Sequence, residues 1–285
     1  MKDLILKSDC LTVHVNALGA ELKGVEKDGL EFLWQGDKDS YPRTSPTLFP
    51  IMGRFLSDTY YVGDKAYNMG LNGIAMDLNF TCLSHTENQA VFQLKADDRT
   101  RKSYPFEFAL TVTYTAKDNQ VFVDYKVENK GDVPMPFCLG CHTAYNWPLV
   151  EGDASTDYRL VFEKDEDLES FNPFGWREPG FVKGKVRPLS HDLFENFTRS
   201  FTGIQSDWFE YGSDKHDRKV RIHRKNFPFI AMWTMPIEEA KLVCLEPSTS
   251  VQPGNHPGLH LEDRLGAITL APGEVWENGF SVEFE

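Results

Sequence analysis

Apolar residues recur at every second position through most of this sequence, which is the period of a β-strand with one covered face. Segments 108–115 and 121–128 show the pattern most clearly, and the five residues 116–120 between them predict a hairpin connection. Helical periodicity is almost absent, and only the acidic pieces 164–170 and 191–196 are compatible with a helical turn or two. Further strands are predicted at 11–15, 90–96, 158–163, 219–224, 229–235, 241–246, 267–270 and 280–284.

The domain organisation follows from how evenly these strands are spaced. No linker rich in Ser, Gly or Pro divides the 285 residues, and no solenoid or propeller repeat is present. We therefore predict an all-β protein with a single domain over residues 1–285, built as a large antiparallel β-sandwich. Two smaller β domains with a boundary near 150–157 are the alternative.

Charge and composition exclude several classes of partner. Asp and Glu number 43 against 30 Lys and Arg, and the net charge of −13 repels phosphate backbones and anionic lipids. The sequence therefore predicts neither nucleic acid nor a membrane as a partner. The first 15 residues contain no signal-peptide core, and the five cysteines are an odd number. Both features predict a cytoplasmic protein with reduced thiols.

The first of three segments with candidate chemistry is 43–54, in which prolines stiffen the backbone before Gly53 and Arg54. A stiff loop of this kind presents Arg54 to a ligand. A surface ion pair with a nearby acid is the structural alternative for the same arginine.

The second segment is 137–148, with the spacing Cys138-x-x-Cys141-His142. Those letters also match covalent haem attachment, a redox pair and half of a zinc site. No export signal or second Cys/His pair accompanies them, so both cysteines are predicted to face the core. His142 is either an acid or base in a rigid apolar segment or a structural core histidine.

The third segment is 241–250. Strand alternation places Leu242, Cys244 and Glu246 on one face, and Pro247 is expected to end the strand immediately after the carboxylate. If that face is buried, Glu246 has a raised pKa suited to a general base, or it forms a structural ion pair.

Together these segments resemble the aldose 1-epimerase (galactose mutarotase) family over nearly the whole chain. The resemblance is carried, in chain order, by 16–21 (NALGAE), 50–54 (PIMGR), 141–148 (CHTAYNWP), 244–247 (CLEP) and 270–274 (LAPGE). The order of the His-containing and Leu-Glu-Pro motifs is its most specific part.

The resemblance implies the supersandwich fold of galactose mutarotases and interconversion of the α and β anomers of a free aldose. It assigns His142 as the general acid, Glu246 as the general base and Arg54 as a ligand of sugar hydroxyls. It implies no metal and no organic cofactor, a small-molecule sugar as the partner, and a monomer or homodimer.

One stretch departs from the family pattern. A His-Gly-Phe-Ala-Arg segment is usual there, whereas this chain has Asn72-Gly-Ile-Ala-Met76. Asn72 can still form hydrogen bonds to a hydroxyl, so it is predicted to bind substrate. Neither Asn72 nor Met76, however, carries the positive charge of the residue it replaces. The departure keeps open a carbohydrate-binding protein with weak or no catalysis on the same scaffold.

A hexose-6-phosphate mutarotase is the remaining alternative. It requires cations near the cleft, for which the candidates are Arg43, Lys183 and Lys225. An acidic residue that touches sugar hydroxyls has no motif of its own, and Asp192 and Asp207 are both candidates.

Overall fold

Strands make up almost all the regular structure of the computed structural model, which describes residues 3–38, 41–195, 198–237, 240–252 and 259–285. The strands are β1 (Leu4–Lys7), β2 (Thr12–Asn16), β3 (Glu21–Lys27), β4 (Leu30–Glu31), β5 (Thr47–Leu48), β6 (Thr59–Val62), β7 (Lys65–Asn68), β8 (Thr81–His85), β9 (Gln89–Lys95), β10 (Phe108–Lys117), β11 (Gln120–Asn129), β12 (Met135–Phe137), β13 (Gly140–Cys141), β14 (Ala144–Asn146), β15 (Tyr158–Phe171), β16 (Arg177–Pro188), β17 (Arg199–Thr202), β18 (Trp208–Ser213), β19 (Lys219–His223), β20 (Phe229–Trp233), β21 (Leu242–Ser248), β22 (Ile268–Leu270) and β23 (Val275–Phe284). Short 3₁₀ turns lie at Leu56–Asp58, Ala75–Asp77, Thr100–Lys102, Ser155–Asp157, His191–Phe194 and Leu261–Asp263.

One large sheet of 15 strands organises the molecule. Its main path runs β5-β13-β21-β20-β17-β15-β18-β19-β23-β11-β10-β9-β8, with β14 added to β21 and β16 added to β15. A four-stranded sheet β1-β2-β3-β4 and the pairs β12-β22 and β6-β7 complete the architecture. All of the strand pairings are antiparallel, which confirms the predicted all-β antiparallel class.

The core is built by the alternation seen in the sequence. Along β11 buried residues alternate with more exposed ones, so one face of the strand is covered and the other is wetter. The main apolar cluster extends from Leu6 to Phe284 and draws on strands from both ends of the chain. The prediction of one domain over 1–285 is compatible with this continuity and stays a prediction.

Most of the predicted strands are confirmed, with three local differences. The hairpin between β10 and β11 has a two-residue turn at Asp118-Asn119 instead of five residues, because Lys117 still pairs with Gln120. Residues 164–170 are not a helical turn but part of β15, which pairs with β16 in a long hairpin. The turn predicted within 191–196 is confirmed as the 3₁₀ turn His191–Phe194.

The third difference concerns Pro247, which was expected to end its strand. β21 continues to Ser248, and Pro247 lies opposite Ile230 inside the ladder. Within the described ranges, no helix is long and apolar enough to cross a membrane.

Candidate active site

Strand register places His142 opposite Glu246 although the two are far apart in sequence. β13 and β14 both pair with β21, Gly140 opposite Ser248 and Ala144 opposite Cys244. That register makes position 142, in the short break between β13 and β14, the counterpart of position 246. Directly opposed residues of an antiparallel pair project from the same face of the sheet.

The alternation predicted for 241–246 is confirmed by the two apolar clusters that meet at β21. Val243 and Leu245 belong to the main core, whereas Leu242 and Cys244 belong to a second cluster on the other face. Glu246 shares the parity of Leu242 and Cys244, so its side chain projects toward that second face.

A cavity of about 350 Å³ opens over this face. This size lies at the small end of the range of about 300–1,000 Å³ for ligand pockets. The residues that line it are Tyr41, Met52, Gly53, Leu71, Asn72, Met76, His142, Thr198, Ala231, Trp233, Met235, Glu246, Val251 and Gln252. Three of the four predicted site residues, His142, Glu246 and Asn72, therefore meet in one cavity.

The acid–base candidates are in direct contact. His142 Nδ1 lies 3.3 Å from Glu246 Oε1, and their side chains are only 14% and 6% exposed. The contact lacks the directionality of a hydrogen bond, so within the described chain both atoms are buried without a hydrogen-bond partner. Two adjacent polar atoms left in this state are available to a ligand that enters the cavity.

Aromatic side chains enclose the imidazole of His142. Tyr41 stacks on it with ring centroids 5.0 Å apart, and Trp233 meets it edge-on at 5.5 Å. Because water is displaced from around the ring, burial lowers the pKa of His142 to about 4, and the imidazole is neutral at pH 7.

Burial acts on Glu246 in the opposite direction. Its carboxyl lies in the same dry site, and this burial raises its pKa well above the usual value. The raised pKa expected for a buried Glu246 is thus found. Burial therefore lowers the pKa of the imidazole and raises that of the carboxyl, so by burial alone the carboxyl binds a proton more tightly than the imidazole does.

Asn72 combines a place in the cavity wall with a role in shaping it. Its Oδ1 accepts a hydrogen bond of 2.7 Å from the Gly53 N–H, and its own N–H donates to the Gly53 carbonyl at 2.7 Å. The residue has a φ of +62°, a left-handed conformation that Asn tolerates better than most residues. Asn72 therefore ties its loop to the stiff loop that precedes Arg54.

Arg54 is placed differently from the other three. Its guanidinium is 53% exposed, pairs with Asp58 at 3.4 Å, and is not among the residues that line the cavity. The backbone of Arg54 is nevertheless fixed beside Met52, which lines the cavity. The buried Arg264 donates hydrogen bonds to the carbonyls of Met52 and Arg54 and packs on Phe55. A role for Arg54 in sugar binding stays a prediction.

The cations considered for a phosphate group lie elsewhere. Arg43 is paired with Glu21 and Asp77, and Lys225 with Asp124. Lys183 lies on the exposed side of β16. None of these three lines the cavity.

The acidic candidates for sugar binding are also outside this cavity. Asp192 lines a separate depression beside His191, and Asp207 forms an ion pair with Lys164 at 3.6 Å. Met76, which replaces the arginine usual in the resembled family, does line the cavity.

The cysteines of the 137–148 segment are core residues, as predicted. Cys138 is fully buried and Cys141 is 2% exposed, both within the main apolar cluster. Cys244 is different, because its thiol lies on the cavity side of β21. His142, Cys244 and Glu246 each place one potential metal-ligating atom within 4.8 Å of the others.

Sequence reasoning missed the residues that reach the cavity from outside the motifs. Tyr41 and Trp233 form the aromatic walls around His142, and Thr198 and Gln252 contribute polar groups. The only sequence signal for Tyr41 was its position just before the proline-flanked segment, which does not indicate a contact with position 142.

Comparisons with known proteins agree with this architecture. The chain is 29% identical to the chromosomal LacX protein of Lactococcus lactis subsp. lactis over 296 aligned residues, with 97% of each protein covered. It matches the structure of a galactose mutarotase related enzyme from Lactobacillus acidophilus with a TM-score of 0.94, at 27% identity and with 99% and 97% of the two chains covered. A galactose mutarotase-like protein from Lactobacillus casei gives a TM-score of 0.91 at 29% identity, with 99% and 100% covered.

The family model for aldose 1-epimerase matches residues 2–283, almost the whole sequence. The match includes every segment that carried the resemblance and every element that lines the cavity. The chain therefore belongs to the aldose 1-epimerase family.

Proposed function

We propose that this protein is an aldose 1-epimerase that interconverts the α and β anomers of a free, unphosphorylated aldose. The observation that carries the proposal is the 3.3 Å contact between His142 and Glu246 in the cavity wall. Because the acid and the base are this close, they can contact the ring oxygen and the anomeric hydroxyl of the same pyranose.

The reaction requires only proton transfers. His142 donates a proton to the ring oxygen while Glu246 accepts one from the anomeric hydroxyl, so the bond from C1 to the ring oxygen breaks and a carbonyl forms at C1. Rotation about the C1–C2 bond then presents the other face of the carbonyl. On closure Glu246 returns its proton to the C1 oxygen and His142 recovers the proton of the ring oxygen.

Burial by itself does not favour this starting arrangement of protons. Burial alone keeps the imidazole neutral and the proton on the carboxyl. A bound sugar changes the balance, because its hydroxyls supply hydrogen bonds to the carboxylate that the apolar walls do not. The charged pair needed for the first step is thus formed when substrate is bound.

The charge of the cavity favours a sugar without phosphate. No Lys or Arg is present among the described residues that line it. The stretches that adjoin Tyr41, Thr198 and Gln252 in the sequence but lie outside the described residues, 39–40, 196–197 and 253–258, also contain no Lys or Arg. A phosphate dianion normally requires such partners.

Polarimetry on freshly dissolved α-D-glucose and α-D-galactose tests the proposal, with the spontaneous rate subtracted. Glu246→Gln removes a proton acceptor while keeping the side-chain shape, and loss of a general base costs about 10²–10⁴-fold in rate. Glu128→Gln is the matched control, since Glu128 pairs with Lys126 and Lys130 and does not line the cavity. Its rate is expected to equal that of the wild type.

Three results contradict the proposal or a part of it. A Glu246→Gln variant with the wild-type rate excludes Glu246 as the base. A wild-type protein that binds sugar in calorimetry but accelerates no common aldose identifies a carbohydrate-binding protein instead. Faster turnover of glucose 6-phosphate than of glucose refutes the preference for an unphosphorylated sugar.

A further inference from the structure

Three different metal-ligating side chains lie together at the cavity, two of them in its wall and Cys244 beside them. One donor atom each from His142, Cys244 and Glu246 lies within 4.8 Å of the other two. Cys244 and Glu246 are alternate residues on one face of β21, and His142 faces them from the neighbouring strand segment. Two ligands from one strand and a third from its neighbour form a rigid set.

The second observation is that two of these donors lack hydrogen bonds. Glu246 is 95% buried, and its Oε1 and the Nδ1 of His142 have no hydrogen-bond partner within the described chain. Buried polar atoms in proteins are nearly always satisfied, so a pair left unsatisfied points to a missing group between them.

The spacing of the pair fits a metal ion. Zinc lies about 2.0–2.2 Å from nitrogen and carboxylate ligands, and in tetrahedral geometry such ligands are roughly 3.3–3.5 Å apart. The observed distance from His142 Nδ1 to Glu246 Oε1 is 3.3 Å. The ligand type is also selective, because a thiolate, an imidazole and a carboxylate together suit Zn²⁺ and not Mg²⁺ or Ca²⁺.

We propose that His142, Cys244 and Glu246 form a binding site for a Zn²⁺-like divalent cation, with the fourth coordination position open to the cavity. The cation takes the Nδ1 lone pair of neutral His142, the carboxylate of Glu246 and the thiolate of Cys244, and the protons of the Glu246 carboxyl and the Cys244 thiol are released to solvent. It binds without any oxidation or reduction.

Occupancy of this site has a consequence that rests on the proposed function. A cation on His142 and Glu246 holds both groups of the proton-transfer pair, so neither is free to exchange protons with a sugar. Zn²⁺ is therefore an inhibitor of mutarotation and competes with the sugar for the cavity. Binding of the cation itself does not depend on whether the protein is a mutarotase.

Cobalt absorption tests the binding directly. Co²⁺ occupies zinc sites, and a thiolate ligand gives an intense near-ultraviolet charge-transfer band. The titration uses tag-free, full-length protein carrying Cys10→Ser and Cys82→Ser, because these two thiols are exposed and bind metal unspecifically. We expect a band that saturates at one Co²⁺ per chain and is displaced by Zn²⁺.

Paired variants identify the thiol. In the same background Cys244→Ser is expected to abolish the cobalt–thiolate band and to weaken Zn²⁺ binding in equilibrium dialysis. The loss should be at least about 10–100-fold, the range found when even an outer partner of a metal ligand is removed. Cys138→Ser is the control, since Cys138 is equally buried but lies in the main core away from this site.

Several outcomes overturn the proposal. They are the absence of a thiolate band in the background protein, an equal loss of affinity in Cys138→Ser and Cys244→Ser, and full Zn²⁺ affinity in Glu246→Gln. Glu246→Gln also keeps the test valid if Cys244→Ser fails to fold. Saturable cobalt binding without any mutarotase activity supports the site and refutes only the proposed function.

Discussion

Asn72 offers a test in which stability and substrate binding are separated. The structure gives it two independent features, a hydrogen bond from the Gly53 N–H to Oδ1 at 2.7 Å and a left-handed backbone with φ of +62°. Asn72→Gly removes the first feature only, because glycine adopts a positive φ without strain. Asn72→Ala removes the hydrogen bond and adds the strain of a Cβ in that conformation.

The expected losses follow from these two features. Gly53 is buried, so leaving its N–H without an acceptor costs about 1–3 kcal/mol in Asn72→Gly. A left-handed Ala adds about 1–2 kcal/mol. Asn72→Asp keeps an acceptor for Gly53 and tolerates the conformation, and its stability should stay closest to that of the wild type.

Asn72→Asp separates the two roles of the amide. It loses the Nδ2 donor, and a neutral hydrogen bond is worth about 0.5–1.5 kcal/mol, or roughly 2–10-fold in affinity. We therefore expect a higher KM for the aldose with kcat nearly unchanged. The resemblance to the family alone favours Asn72→His as an equal or better enzyme, but the bond to Gly53 makes some loss of stability the expected result.

Urea unfolding followed by tryptophan fluorescence measures the stabilities, and background-corrected polarimetry gives KM and kcat. The order wild type, Asn72→Gly, Asn72→Ala in falling stability is required by the two-feature argument. Equal stability of Asn72→Gly and Asn72→Ala refutes the contribution of backbone conformation. An unchanged KM in Asn72→Asp refutes the contact between the amide and the sugar.

Other predictions concern proton transfer, the thiols and two structural contacts. Because burial lowers the pKa of His142 to about 4, the mutarotation rate should stay level as the pH falls from neutral and reach half its value near pH 4. There the imidazole takes up a proton while the Glu246 carboxyl already holds one, so neither group can accept a proton from the sugar. A half-point near pH 6.5 contradicts this prediction. Cys138→Ala should cost about 1 kcal/mol in urea unfolding through lost packing and leave the rate unchanged. Gly73→Ala should destabilise strongly in the same assay, since its φ is +82° and the new Cβ would lie 2.3 Å from the Phe49 carbonyl oxygen. Arg264→Met should destabilise the loop around Met52 by about 1–3 kcal/mol and raise KM, which calorimetry and polarimetry check.

Alternation predicted ten of the 23 strands that the described residues form, among them the long strands β10, β11 and β23. It failed where a tertiary partner decides the outcome. Residues 164–170 are acidic and have no clear local preference, and they form a strand by pairing with β16 and, at Ser170, also with β17. Pro247 lacks an N–H, yet the ladder continues through it because its neighbours on β21 pair with β20.

Three residues of the candidate site, Asn72, His142 and Glu246, were predictable one by one, but their assembly was not. His142 and Glu246 were identified by type and motif, while their contact depends on a strand register between segments 104 positions apart. No local pattern encodes that register. Tyr41 was missed for a similar reason. It lies in a loop between strands, and no periodic pattern in the sequence relates position 41 to position 142, on which it stacks.

In the proposed reaction His142 and Glu246 reverse roles, and burial opposes the proton preference that the two groups have in water. In water an imidazole with a pKa of 6.5 holds a proton about two units more firmly than a carboxyl at 4.5, so transfer in one direction is favoured. The dry cavity lowers the pKa of His142 to about 4 and raises that of Glu246 well above its usual value, so burial alone reverses the preference, and hydrogen bonds from a bound sugar to the carboxylate oppose that reversal. The cost is two buried atoms without hydrogen bonds, at about 1–3 kcal/mol each, and a sugar hydroxyl or a cation that satisfies them regains it. The same unsatisfied pair therefore accounts for the proposed catalysis and for the proposed metal site, and it requires the two ligands to exclude each other.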